Sequence, residues 1–214
     1  MATRALDARV DTRSRRYDPA ETRQRVLAAA NMLFSSRGFS NTGTADIARE
    51  AEVSEGSIFY HFGSKKNLLA ELGRSYGEAM IVAMQQGDAL ETLEPGIIIP
   101  RVFEFCATNN MWEVITGSEC EVGVLAATKN PEGEPFYKAS KETTTDWITH
   151  QMEVAFAYRG ITGIDVPMAA SFTHHVVGDA IELYLTAPDD AVRERVVKET
   201  VRFVRAACGY PTGT

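Results

Sequence analysis

Apolar residues recur at helical spacing along almost the whole chain, and this periodicity restricts the fold more than any other feature of the sequence. Glycine and proline divide the periodic stretches, and nowhere do alternating apolar and polar residues recur with hairpin turns. The pattern predicts an all-α protein of about nine helices. These helices cover about residues 18–37, 42–51, 54–61, 64–86, 97–109, 111–129, 135–159, 166–187 and 189–208.

Side chains that cap helices support several of these boundaries. Asp18 precedes Pro19 and can cap the first helix, because proline is well tolerated in a first turn. Thr42 is the predicted N-cap of the second helix, and Ser54 is the predicted N-cap of the third. Residues 1–16 are rich in arginine and lack any period, so they are expected to form a flexible basic arm.

Residues 44–62 have the pattern of a helix-turn-helix unit, which needs a small residue where two helices cross and apolar residues on the facing sides. Ala48 is the small residue, while Ile47 and Ile58 are among the facing apolar residues. Glu52 occupies the turn position where glycine would adopt left-handed dihedral angles most easily. If Glu52 adopts that conformation, we expect a strain of roughly 1 kcal/mol.

The charge distribution separates the two ends of this 214-residue chain, whose formal net charge is −7. Residues 1–76 contain 12 basic and 9 acidic side chains, whereas residues 77–214 contain 10 basic and 20 acidic ones. Only the N-terminal part is therefore suited to a polyanion such as DNA. No apolar run approaches the roughly 20 residues that span a bilayer. The three cysteines are odd in number and far apart, so a reducing, cytoplasmic location without membrane contact is expected.

Residues 22–69 resemble the N-terminal domain of the TetR family of bacterial transcriptional regulators. The matching phrases are Gly38-Phe39 and residues 42–48, 53–62 and 64–69, which include the aromatic-aromatic-His-Phe run that ends at Phe62. The resemblance implies a helix-turn-helix DNA-binding domain at residues 17–63. It also implies a larger helical domain for ligand binding and dimerisation at residues 64–214.

For the DNA contacts, the resemblance implies that the third helix enters the major groove with its aromatic pair and His61 facing DNA. Ile58 and Phe62 would then face the core, and Lys65 would add a cation at the start of the fourth helix. Alanine at Tyr60 or Lys65 is expected to weaken DNA binding with little loss of folding. The candidate DNA-binding residues are Thr42, Gly43, Thr44, Ser57, Phe59, Tyr60, His61 and Lys65.

Two positions depart from the family pattern. Ala45 stands where family members often have a basic residue, so one expected phosphate contact is missing. Glu55, at the entry to the third helix, would repel phosphate unless it accepts a hydrogen bond from a cytosine amino group.

The last two predicted helices, 166–187 and 189–208, are apolar on two faces and so need partners on more than one side. The resemblance implies that they pair with their two-fold mates in a four-helix bundle, which makes a homodimer. The alternative is that both faces belong to the core of a single chain.

The middle of the chain is rich in large side chains that either fill a core or line an apolar cavity with a few polar anchors. The candidate ligand-binding residues are Phe103, Trp112, Phe136, Trp147, His150 and His174. No cofactor or metal site is indicated, and neither a phosphate-binding loop nor a nucleophile motif suggests an enzyme.

Together these features predict a dimeric transcriptional regulator, a repressor that a small, largely apolar effector releases from a near-palindromic operator of double-stranded DNA. Two alternatives stay open at this point. One is a DNA-binding dimer without an effector, and the other is an all-α binding protein or enzyme that has lost operator recognition.

Overall fold

The computed structural model describes residues 18–109 and 131–210, which form α-helices joined by short loops. Eight helices and no strand occur in these two ranges. They are α1 (Pro19–Arg37), α2 (Thr44–Glu50), α3 (Glu55–Phe62), α4 (Lys65–Gln85), α5 (Pro95–Thr108), α6 (Glu134–Arg159), α7 (Val166–Leu185) and α8 (Asp190–Ala207). No helix within the described ranges is both long enough and apolar enough to cross a bilayer.

The predicted all-α class is confirmed, and eight of the nine predicted helices are present with similar bounds. The predicted helix at 111–129 and the arm at 1–16 lie outside the described residues. Asp18 caps α1 by accepting hydrogen bonds from two backbone amides, and Ser54 caps α3 by accepting one from Ser57. Thr42 is not the cap of α2, because that helix begins at Thr44 with Gly43 in the capping position.

The helices α1, α2 and α3 surround a small core that continues into the first two turns of α4 and includes Phe136 from α6. Val26, Ile47 and Ile58 are fully buried in it. Glu52 has a φ of +53°, which is the left-handed conformation predicted for the turn between α2 and α3. This four-helix unit is called the head below.

The remaining part, called the body, consists of α5 to α8 and the C-terminal half of α4. Its largest core cluster joins α5, α6, α7 and α8 and contains Phe103, Met152, Phe156 and Val204. A second cluster, which includes Met84 and Val102, packs α4 against α5. The other helices of the body therefore pack around α6, which at 26 residues is the longest helix in the described ranges.

Head and body meet where α4 crosses the first turns of α6. At Gly73 the two backbones are so close that a Cβ atom would overlap the Phe136 carbonyl group. One turn later, a Cβ at Gly77 would lie 3.1 Å from the Ser140 carbonyl oxygen. A division of the chain at residue 63 stays a prediction, and the buried residues of α4 and α6 in the head core show that packing continues across it.

We expect Glu52→Gly to raise the free energy of unfolding by up to about 1 kcal/mol, because glycine adopts a positive φ without the steric cost that a Cβ imposes. Glu50→Gly is the matched control, since Glu50 ends α2 with ordinary helical geometry and glycine there should cost about 0.5–1 kcal/mol. Urea unfolding of the three proteins measures both effects. Loss of stability in Glu52→Gly as large as in Glu50→Gly would contradict the strain assignment.

Candidate nucleic-acid interface and internal cavity

The helix α3 presents one face to the core and the other to solvent. Ile58 and Phe62 are 0% and 8% exposed, which confirms that they face inward. Phe59 and Tyr60 are 49% and 80% exposed, although apolar surface of this size is normally buried. His61 is half-buried and packs edge-on against Tyr60, with ring centroids 5.1 Å apart. The aromatic pair is therefore available to a partner outside the head.

Hydrogen bonds between polar side chains hold the two helices of the helix-turn-helix in place. The Thr44 hydroxyl donates to the Glu55 carboxylate, so the acidic residue at the entry of α3 is tied to the start of α2. The Ser57 hydroxyl lies 2.8 Å from that of Ser54. Gly43 is exposed, and its amide donates to the Asp46 carboxylate. Thr44, Ser57 and Gly43 thus each already have an internal partner.

Two of the predicted DNA-contact residues, Lys65 and Thr42, have side-chain polar atoms with partners inside the head. The Lys65 ammonium donates to the Phe39 and Thr42 carbonyl oxygens at 2.8 and 2.9 Å, and it lies 4.1 Å from the centre of the Phe39 ring. Burial lowers the pKa of Lys65. Thr42 is 1% exposed, and its hydroxyl donates to the Gly38 carbonyl oxygen. Both side chains fix the loop between α1 and α2.

Several cations of the head are likewise paired with carboxylates. Arg23 and Arg74 both contact Glu71, and Arg49 contacts Asp46. Lys66 is exposed and makes no hydrogen bond or ion pair within the described part of the chain. The phosphate contact of Lys65 stays a prediction, and its neighbour Lys66 is a second, exposed cation at the start of α4.

The body contains a cavity of about 180 Å³ between α4, α5, α6 and α7. Most of its wall is apolar, with Met80, Met84, Ile98 and Ile181 among the lining residues. Tyr76 of α4 also lines the cavity, and its hydroxyl donates to the Asn109 carbonyl oxygen. Burial raises the pKa of Tyr76. A mainly apolar wall with a few polar groups is the composition of a small-molecule site.

The predicted ligand residues separate into two groups. Phe136 and His174 line the cavity. Phe103 does not, because it is buried in the core against Tyr184, and Trp147 packs beside α4 and α5 outside the cavity wall. His150 is exposed and lies 3.9 Å from the Glu153 carboxylate, so it is a surface residue. Trp112 lies outside the described residues.

Polar groups are concentrated where α6 faces α7. Lys141 lines the cavity, and its ammonium lies 3.0 Å from His175 Nε2. His175 Nδ1 lies 2.7 Å from the Ser171 carbonyl oxygen. Burial, together with the charge of Lys141, lowers the pKa of His174 to about 4, so this imidazole is neutral at pH 7. Sequence periodicity indicated neither Lys141 nor its contact with α7.

The outer faces of α7 and α8 expose large apolar side chains. Phe172 is 63% exposed, Leu183 is 61% exposed, and Phe203 is 55% exposed. Met168, Phe172 and Phe203 also border a groove of about 230 Å³ between the two helices. No residue in 18–109 or 131–210 covers these side chains, so they form an apolar face without a partner in the described part of the chain.

A helix-turn-helix whose second helix, α3, exposes an aromatic pair, in a head attached to a helical body with an internal cavity, is the architecture of a helix-turn-helix transcriptional regulator. Residues 26–72 match the family model for bacterial regulatory proteins of the tetR family. The transcriptional regulator LmrA of Bacillus subtilis is 28% identical over 170 residues, which cover 78% of this chain and 88% of that protein. Residues 26–72 of this chain therefore form a DNA-binding domain of the TetR family.

Solved structures agree with this assignment at the level of the fold. A TetR-family regulator from Syntrophomonas wolfei superposes with a TM-score of 0.65 at 17% identity, over 92% of this chain and all of the other. RolR in complex with resorcinol superposes with a TM-score of 0.56 at 18% identity, over 92% of this chain and 97% of RolR. Both matches include the body as well as the head.

We expect Lys65→Met to lower the free energy of unfolding by about 1–3 kcal/mol, because two backbone carbonyl groups lose a charged donor. Lys66→Met is the matched control and should change it by less than about 0.5 kcal/mol, since an exposed side chain without contacts contributes little. Chemical denaturation monitored by circular dichroism compares the two variants. Equal stability in both would show that the Lys65 contacts have no structural role.

Proposed function

We propose that this protein is a homodimeric repressor whose affinity for an operator falls when a small molecule occupies the cavity of the body. The observation that carries the proposal is the position of Phe136. This side chain is part of the buried core of the head, and it also lines the cavity. A ligand in the cavity therefore contacts a residue that supports the DNA-binding unit.

At the DNA, α3 lies in the major groove with Phe59, Tyr60 and His61 toward the duplex. A tyrosine hydroxyl and an imidazole can donate hydrogen bonds to phosphate oxygens, and a phenyl ring can contact a thymine methyl group. Ser57, Thr44 and Gly43 border the same surface. Lys66, rather than Lys65, supplies the free ammonium at the start of α4.

The dimer forms through the outer faces of α7 and α8. Their exposed phenylalanine and leucine side chains need a partner surface, and a two-fold axis lets the same face cover itself. Such a dimer holds two heads at a fixed separation. Two recognition helices about 34 Å apart then read two half-sites in successive turns of the major groove, which gives a near-palindromic operator.

The effector is small and mainly apolar, as the cavity wall requires. RolR, which shares the fold, was crystallised with resorcinol, a single-ring compound of the size that this cavity admits. Release needs a ligand that binds the DNA-incompetent state more tightly, typically by about 1–3 kcal/mol of coupling. A bound dimer represses by covering promoter DNA, which requires no further contact with the transcription machinery.

The link between cavity and head consists of direct contacts. Tyr76 and Phe136 pack with ring centroids 5.5 Å apart at the cavity wall. The Ser40 hydroxyl in the loop before α2 donates to the Glu132 carboxylate just before α6. A displacement of the first turn of α6 therefore reaches both α4 and the helix-turn-helix.

The central test is selection of duplexes from a random DNA library with the full-length protein. We expect an inverted repeat, bound by two subunits and roughly a thousandfold tighter than a scrambled duplex at physiological salt. Tyr60→Ala should weaken binding by about tenfold or more, because it removes a charge-assisted hydrogen bond to phosphate. Tyr158→Ala is the control, since Tyr158 is similarly exposed but lies on α6 in the body. Equal affinity for selected and scrambled DNA would refute the proposed function.

The dimer face has its own test. Phe172→Glu should produce a monomer in light scattering, because an unpaired carboxylate buried at the two-fold interface costs about 3 kcal/mol or more. Val82→Glu is the control, since Val82 is 72% exposed on α4 and lies outside the proposed interface. The monomeric variant should keep its circular dichroism spectrum and lose operator binding. A dimeric Phe172→Glu protein would place the interface elsewhere.

A further inference from the structure

We infer that the effector is a small carboxylic acid with an apolar body, whose carboxylate binds to the Lys141 ammonium beside His174. The inference rests on the proposed function, since it names the class of molecule that the cavity of the regulator takes. It follows from three features of the wall: the sign of its charge, the positioning of that charge, and an unpartnered imidazole nitrogen.

The charge of the cavity wall is positive. Lys141 is the one Asp, Glu, Lys or Arg residue among the described residues that line the cavity. No carboxylate in residues 18–109 or 131–210 lies within ion-pair distance of its ammonium group. Asp179, one turn after His175 on α7, is exposed and does not line the cavity. An ammonium in a largely apolar wall interacts favourably with an anion and unfavourably with a second cation.

The position of the ammonium is fixed from α7. Nδ1 of His175 can donate to the Ser171 carbonyl oxygen at 2.7 Å, which leaves Nε2 without a proton and able to accept from Lys141 at 3.0 Å. One of the three ammonium donors is thereby used. The other two have no partner within the described residues, and a carboxylate can accept both.

His174 adds a second polar group to the same part of the wall. Its Nδ1 atom is buried and has no hydrogen-bond partner in the described part of the chain. A buried nitrogen without a partner is unfavourable, so a ligand oxygen that completes this hydrogen bond gains affinity. Because the imidazole is neutral at pH 7, it can donate one hydrogen bond without needing a counterion.

The remainder of the cavity limits the body of the acid. Its wall away from α6 and α7 consists largely of methionine, isoleucine and valine side chains. A volume of about 180 Å³ is slightly larger than the roughly 150 Å³ of an engineered apolar cavity that admits benzene. One aromatic ring or a short alkyl chain therefore fits, attached to a carboxylate at the end near Lys141.

The experiment is titration calorimetry of the full-length protein with three acids and their uncharged and cationic counterparts. The probes are benzoate, phenylacetate and hexanoate, the corresponding amides, and benzylamine, phenethylamine and hexylamine. We expect at least one acid to bind roughly tenfold or more tightly than its amide, as a charge-assisted hydrogen bond implies, and the amines to bind most weakly.

Lys141→Met should remove this preference, so that the acid that binds best loses about tenfold in affinity while its amide changes by less than about threefold. Lys141→Arg should retain the preference because it keeps the charge. Lys138→Met is the matched control, since Lys138 lies one turn earlier on α6 and is exposed. Circular dichroism and urea midpoints establish that each variant is folded before its affinities are compared.

The acid class is overturned if each acid binds no more tightly than its amide, if no acid binds, or if Lys141→Met weakens acid and amide equally. Operator binding of the same preparations is measured in parallel with the duplex selected above. Sequence-specific DNA binding without acid preference refutes only the ligand class. Absence of specific DNA binding refutes the proposed regulator function, whatever the affinities of the acids.

Discussion

The close packing of α4 against α6 is the contact on which the rest of the molecule depends. Glycine at position 73 lets the two backbones touch at Phe136, and no other residue would fit there without displacing one helix. Protein interiors are close-packed, so a shift of one helix is not absorbed by empty space around it. Because α4 belongs to both the head and the body, the orientation of the head is set by the position of α6. The cavity lies along the next turns of the same helix.

Helical periodicity and capping side chains predicted the fold well because they report interactions within a few residues of one another. The inward positions of Ile58 and Phe62 follow from a period of 3.6 residues, and the strained Glu52 follows from the geometry of a two-helix turn. The internal hydrogen bonds of Lys65 could not be predicted for the opposite reason. Its hydrogen-bond acceptors, the carbonyl groups of Phe39 and Thr42, lie 26 and 23 residues earlier in the chain.

The proposed ligand site was harder to predict because apolar side chains in a core and in a cavity wall have the same spacing. Phe103 and Phe136 are both buried aromatic residues on amphipathic helices, yet only the second lines the cavity. The difference depends on which neighbouring helix fills the space beside each ring. Lys141 and His175 are brought together by the packing of α6 against α7, across 34 positions of the chain.

The ion pairs of the head explain how an acidic protein can select one DNA site. Arg23, Arg49 and Arg74 contact carboxylates, and the Lys65 ammonium donates to two backbone carbonyl groups, so several cations of the head have partners within the head. Binding to any single stretch of DNA is then weak and sensitive to salt. In the proposed dimer, affinity comes from two heads engaged at once, so a small change in their separation would remove most of it. If an effector in the cavity weakens operator binding, operator DNA must by reciprocity weaken effector binding by the same factor. A few contacts at the wall between α4 and α6 would then be sufficient to control the DNA-bound state.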